Sequence, residues 1–176
     1  MLFLYNLLLL FASQIVKLLA LFSPKIKLFV EGRKTVFQTL ESKISSSDKS
    51  IWFHAASLGE YEQGLPVMEK IKKEFPNHKI VVTFFSPSGM LHYNKRDHNA
   101  DFVMYLPLDT PSNASQFIQH FKPINSHFIK YEFWANYSFE AKKHNSNSFS
   151  SVFLYICIWE IQSPFSLGQS QSPSPL

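Results

Sequence analysis

The chain has 176 residues, a formal net charge of +4 and one cysteine, Cys157. That length suits one ordinary domain with an appendage. The lone cysteine excludes an intrachain disulfide and a zinc site built from several thiolates, and it fits a reducing compartment. The lysines are interleaved with glutamates and no nucleic-acid motif is present. The modest positive excess therefore points to anionic lipid or phosphate, not to DNA or RNA.

Residues 1–22 read MLFLYNLLLLFASQIVKLLALF, with Lys17 as the single charge. As a helix this run reaches roughly 33 Å, enough for a hydrocarbon core of about 30 Å. The segment reads as a membrane anchor. Asn6, Ser13, Gln14 and Lys17 leave two geometries open: a spanning helix, or a helix lying at the interface with one polar stripe. A buried core helix is the soluble alternative. A cleaved signal peptide fits less well, because neither a basic n-region nor a small-residue cleavage site stands out. Lys25, Lys27, Arg33 and Lys34 follow at once. By the positive-inside rule they place the body on the cytoplasmic side, and they read as membrane-surface residues facing anionic headgroups. A solvated charge run is the plainer alternative.

Residues 41–49, ESKISSSDK, read as a linker or surface loop. The apolar run at 50–55 predicts a buried strand. Residues 60–75 predict a helix with Leu65, Met68, Ile71 and Phe75 on one face, and Pro66 in its early turns. KIVVTFF, 79–85, predicts a strand, and Ser86-Pro87-Ser88-Gly89 a turn. DFVMYL, 101–106, predicts the next strand. Asp109-Thr110-Pro111 opens a helix carrying Ala114, Phe117, Ile118 and Phe121 on one face, which Lys122-Pro123 closes. Residues 125–133 begin as a strand and lead into Trp134. From residue 145 the chain loses its charge mixture, and its Ser, Gln and Pro end reads as partly disordered. The apolar run at 152–161 is too short for a comfortable span. This tail suggests a truncation or an interrupted reading frame, with a divergent true terminus as the alternative. The expected organisation is an anchor over 1–22, an α/β domain over 23–144 and an atypical tail over 145–176.

Strands alternating with helices imply right-handed crossovers and a mainly parallel sheet. Ligands of such sheets bind beyond the carboxyl ends of the strands. Ser57-Leu58-Gly59-Glu60, Ser86–Gly89 and Glu132 would converge there. Read from the residues alone, Glu60 and Glu62 favour a helix start by about 0.3–1 kcal/mol each. His54 reads as a core histidine, and Trp134 as packing. His92 and His98 lack flanking acids at ligand spacing, so no metal site is expected.

The segments WFHAASLGEYEQGLP, VVTFFSPSG, YLPLDTP and KYEFWAN carry a resemblance. Their order and approximate spacing resemble the amino-terminal half of the Kdo (3-deoxy-D-manno-octulosonic acid) transferases of Gram-negative bacteria, over residues 1–143. The resemblance implies a Rossmann-like domain of a two-domain GT-B glycosyltransferase, preceded by a membrane-anchor helix. It implies inverting transfer of Kdo from CMP-Kdo to a lipid A precursor at the cytoplasmic face of the inner membrane. No cofactor or metal is implied, and CMP-Kdo is the donor substrate. Partners are the lipid A precursor, CMP-Kdo and inner-membrane lipids, with no nucleic acid.

Carried over by motif, Glu60 is the general base. Such a base takes the proton of the attacking sugar hydroxyl. Ser57, Gly59, Ser88, Gly89, Lys130 and Glu132 fall on the acceptor side. Gly59 would let the backbone approach a ligand, and the helix amino terminus offers N–H groups to an anion. Two positions depart from the family pattern: Lys130 stands where an acid is common, and Ala135 where Pro is common. A full member also carries a second domain with most of the donor contacts, and this chain resembles an acceptor half without it. Two other functions stay open: a membrane-anchored, non-catalytic binding module with the same half-fold, and another nucleotide-sugar transferase of this architecture.

Overall fold

A computed structural model describes residues 2–45, 47–93, 100–129, 134–144 and 146–150. Three helices come first: α1 (Leu2–Leu19), α2 (Pro24–Glu31) and α3 (Val36–Lys43). Strand β1 (Ser50–Ala55) then leads through α4 (Leu58–Glu74) to β2 (Lys79–Phe84). Helix α5 (Pro87–Tyr93) precedes β3 (Phe102–Tyr105), and α6 (Pro111–Phe121) connects β3 to β4 (Asn125–Phe128). Helix α7 (Ala135–Lys143) leads to β5 (Asn147–Ser150).

The five strands form one sheet in the order β3-β2-β1-β4-β5, and every pairing is parallel. The chain winds outward from β1 to β3, returns to β4 beside β1, and winds outward again. This is the doubly wound, Rossmann-like order, with its switch point between β1 and β4. All six residues of β1 are buried, as befits a central parallel strand covered on both faces. Trp52 enters one core with Phe117, Phe121 and Tyr137 from α6 and α7. Ile51, Phe53 and Ala55 enter the other, with Tyr61, Met68 and Ile71 from α4. Gly64 lets α4 close on the sheet, because a Cβ there would collide with the Ile129 side chain.

Several sequence expectations shift. Residues 41–43 end α3 instead of beginning a linker, because Val36 and Leu40 are buried one turn apart in the α6-side core. Residues 87–89 open α5 and are not a simple turn. Phe75 leaves the buried face of α4 and is 41% exposed. The tail boundary at 144 also moves, since residues 147–150 pair with β4 and extend the sheet. The run at 152–161 lies outside the described residues.

Thr83 Oγ1 links the two central strands. It accepts from Trp52 Nε1 at 2.8 Å and lies 2.8 Å from His54 Nδ1. Burial brings the His54 imidazole down to about 3 and that of His127 down to about 4. Both are therefore neutral in the folded protein at pH 5 and above. As pH falls below 6.5, the unfolded chain takes up these protons first, so stability declines toward the folded values. At pH 5 the loss is about 2 kcal/mol for each imidazole. Urea unfolding at pH 7 and pH 5 should show this decline, and His54→Gln should remove roughly half of it. Asp109, raised by burial, acts with the opposite sign, so the variant comparison, not the raw slope, isolates the histidines.

Candidate functional site

The chain leaves β1 at Ala55 and enters α4 at Leu58, with Ser57 as an extended N-cap at φ −141° and ψ 173°. Ser-x-x-Glu is the sequence signature of a capping box. The Ser57 N–H donates to Glu60 Oε2 at 3.0 Å. Among the described residues Glu60 Oε1 has no partner. The cap thus holds one carboxylate oxygen and leaves the other at the mouth of the strand. Gly59 is exposed, and a Cβ there would meet nothing within 4 Å. Its backbone φ is not positive. What the glycine leaves is open space over the start of α4.

Strand β4 runs beside β1, with Phe128 opposite His54 and the Ile129 N–H bonded to the His54 carbonyl at 2.9 Å. The chain therefore leaves β4 next to Ser57 and Glu60, at the switch point. Lys130 and Glu132 lie outside the described residues. Trp134 follows them and packs edge-on against His54, ring centroids 5.1 Å apart, and against Phe85 at 5.0 Å.

Beyond β2, Ser86 and Ser88 share a hydrogen bond of 2.6 Å. Gly89 is buried, and any Cβ would run into the Phe84 ring. Its small size serves packing. Ser86 and Ser88 border a groove of about 560 Å³ between α1, α2 and α5. Val16, Ile26, Phe29 and Leu91 make it largely apolar, and Lys25 stands on its lining.

Arg33 departs from its expected place at the membrane surface. Its Nε donates to the Leu106 carbonyl at 2.9 Å, one terminal nitrogen to Phe85 at 2.6 Å and the other to Phe29 at 2.7 Å. Its guanidinium carbon lies 3.6 Å from the centroid of the Phe29 ring. Burial lowers it to about 10, so it stays cationic at neutral pH. One cation thus satisfies carbonyls just past β2 and β3 and ties α2 to the sheet edge. The other basic residues stay outward. Lys27 lies 4.0 Å from Glu31 with both side chains exposed, and Lys34 borders a small depression with Lys17.

Asp109 is a central residue that sequence reasoning placed only at a helix start. Thr110 caps α6, its Oγ1 accepting from the Asn113 N–H at 3.3 Å. Asp109 instead caps α7, accepting from the N–H groups of Asn136 at 3.2 Å and Tyr137 at 3.0 Å. It also accepts from the Tyr5 hydroxyl at 2.6 Å. Burial raises this carboxyl, while those donors pull it back. Among the described residues no group of three or more His, Cys, Asp or Glu side chains is placed to hold a metal ion.

Besides the buried Asp109, the carboxyl edge thus combines the open Glu60 carboxylate, several hydroxyls, a lysine and an apolar groove. That combination suits a ligand with a polar head and a hydrocarbon body.

Residues 25–150 match the family model described as 3-deoxy-D-manno-octulosonic-acid transferase (kdotransferase). The chain is 33% identical over 85 residues to the 3-deoxy-D-manno-octulosonic acid transferase of Aquifex aeolicus, covering 48% of this chain and 23% of that protein. It is 31% identical over 88 residues to the protein of that name from Haemophilus influenzae, covering 50% of this chain and 21% of the relative. For the Chlamydia muridarum protein the values are 27% over 124 residues, 69% and 28%. The chain spans about a quarter of the length of these curated relatives.

Replacing Arg33 by Met should cost about 2–4 kcal/mol in urea unfolding, because charge-assisted bonds to buried carbonyls are lost. Arg33→Lys should recover only part of this, since an ammonium lacks the planar fork. Unchanged stability with weaker vesicle binding would instead mark Arg33 as a headgroup contact.

Proposed function

Because the chain belongs to the 3-deoxy-D-manno-octulosonic-acid transferase (kdotransferase) family, we propose that it forms the acceptor side of an enzyme moving Kdo from CMP-Kdo to a lipid A precursor. The reaction belongs to lipopolysaccharide synthesis at the cytoplasmic face of the inner membrane. The observation that carries this reading is the Glu60 carboxylate at the switch-point edge, with one oxygen fixed by the Ser57 N–H.

In the proposed reaction the acceptor hydroxyl gives its proton to Glu60 Oε1. The hydroxyl oxygen forms a bond to the anomeric carbon of Kdo from the face opposite CMP. CMP leaves with the bonding electron pair, and the configuration inverts. The fixed Oε2 removes most of the rotational freedom of the base, which favours a near-attack arrangement. Ser57, Ser88, Lys130 and Glu132 would hold the acceptor, with open space over Gly59. A second Rossmann-like domain of a GT-B arrangement would hold CMP-Kdo across the cleft. No metal or cofactor takes part in this scheme.

A second reading has an observation of its own. Glu60 completes a capping box, a structural task that a non-catalytic membrane module would also keep. Glu60→Gln separates the two readings, because Gln also serves at the third position of a capping box. The assay joins this chain to a donor-side domain from a relative and supplies CMP-Kdo and lipid A precursor. Glu60→Gln should lower transfer by about 10²–10⁴-fold, the range general-base catalysis contributes. Its stability should stay within about 0.5 kcal/mol of the parent, whereas Glu60→Ala should also lose cap energy. Full transfer by Glu60→Gln would overturn the base assignment and leave the capping role.

A further inference from the structure

We propose that α1 is an in-plane anchor: it lies along the membrane interface with the carboxyl edge of the sheet behind it, and does not cross the bilayer. The proposal concerns how the chain meets lipid and holds whether or not Kdo is the sugar transferred.

By length and composition α1 is able to cross a membrane, with a mean hydropathy of 1.9 over 18 residues. Its contacts prevent it from doing so. Near its start, the Tyr5 hydroxyl donates to Asp109 and the Asn6 side-chain oxygen accepts from Asn136 Nδ2 at 2.8 Å. Near its end, Val16 and Lys17 border a cavity whose other walls include Phe29, Arg33 and Pro107. Ser13, between them, is the one buried residue of the helix. These attachments run from residue 5 to residue 17, roughly 18 Å along the axis. Both ends of α1 thus rest on the same α/β domain. A helix that crossed a core of about 30 Å would carry Asp109 and Asn136 into hydrocarbon, or abandon their bonds to Tyr5 and Asn6.

The opposite face of α1 is apolar and uncovered. Leu4 is 58% exposed, Phe11 63% and Leu18 60%, one above the other at seven-residue spacing. Tyr5, Asn6 and Ser13 face the domain, while Gln14 and Lys17 are exposed beside the apolar residues; a largely apolar outer face is the reverse of a soluble surface helix. Leu28 of α2 and Leu91 of α5 are also exposed, and both border the groove that contains Val16 of α1. Lys25 borders that groove, and Lys17, Lys27 and Lys34 border a second depression together with Glu31; the net positive charge of these residues matches an anionic leaflet. The occupant of this face is therefore the interfacial layer of an anionic phospholipid membrane. Asp109 follows β3 and Asn136 follows β4 in the chain, so α1 docks on the carboxyl edge. The lipid surface is thereby brought to the edge that bears Ser57 and Glu60.

The test uses the full chain with Cys157→Ser and one new cysteine at a time: Leu4→Cys, Phe11→Cys or Leu18→Cys, each carrying a small fluorophore. The proteins are bound to vesicles of phosphatidylcholine and phosphatidylglycerol containing lipids brominated at known depths. An in-plane helix gives equal loss of fluorescence at all three positions, greatest with shallow bromines. A spanning helix gives the greatest loss from deep bromines at position 11 and from shallow ones at positions 4 and 18, and that pattern overturns the proposal. So does a lack of quenching at every position together with a stable dimer in light scattering, which would make a second copy the occupant. The readout needs no transfer activity, so failure of the Kdo reading and failure of this one are told apart.

Discussion

The buried Asp109 carboxylate joins three parts of the molecule that are far apart in sequence. It ends the loop after β3, caps α7 through two backbone N–H groups and receives the Tyr5 hydroxyl of α1. A buried charge is tolerated only when its lone pairs are occupied. Here the donors come from α1 and α7, so the burial of Asp109 and the docking of both helices depend on each other. Losing one hydrogen bond to such a charged group costs about 1.5–3 kcal/mol, more than most single surface contacts contribute. The position of the amino-terminal helix therefore follows from satisfying one carboxylate.

Arg33 plays the complementary part on the neighbouring strands. A parallel sheet leaves carbonyls beyond its strand ends that no further strand can satisfy. Arg33 takes those of Phe85 and Leu106 while stacking on Phe29. One anion and one cation, both largely removed from water, thus finish the carboxyl edge and fasten α1 and α2 to it. The edge that carries the candidate chemistry is also where the apolar helices attach. Under the proposed function this arrangement would have a clear use, because the polar head of a lipid-linked acceptor need not travel far from the bilayer to meet Glu60.

Glu60 shows how a helix cap can leave a carboxylate available for chemistry. The capping bond from Ser57 uses only one of its oxygens. The helix start consequently orients the carboxylate instead of consuming it. Gly59 beside it adds no bulk, and the space over the first turn of α4 stays open. A preorganised group in open space beside a topological switch point has the geometry expected of a binding edge in this fold.

Much of this was readable from residue order. The run at 50–55, apolar or small at every position but His54, marks a strand covered on both faces. The i, i+3, i+4 spacing of Ala114, Phe117 and Ile118 marks α6, and Ser-x-x-Glu at 57–60 marks the start of α4. These signals are local, carried by neighbours within one or two turns, and backbone sterics and hydrophobic burial act at that range. Tertiary structure alone decided that Arg33 turns inward, that Gly89 is packing, that residues 147–150 join the sheet and that Asp109 caps α7 and not α6. The carbonyls that Arg33 reaches on Phe85 and Leu106, the N–H groups that Asp109 caps and the strand that β5 joins all lie tens of residues away, and a charged or polar side chain has no periodicity that names its partner; Gly89 meets Phe84 only where the chain passes from β2 into α5. Composition made α1 apolar enough for lipid. Whether it crosses or lies flat depends on the hydrogen bonds that join Tyr5 to Asp109 and Asn6 to Asn136, more than a hundred positions away, and only the folded chain brings those together.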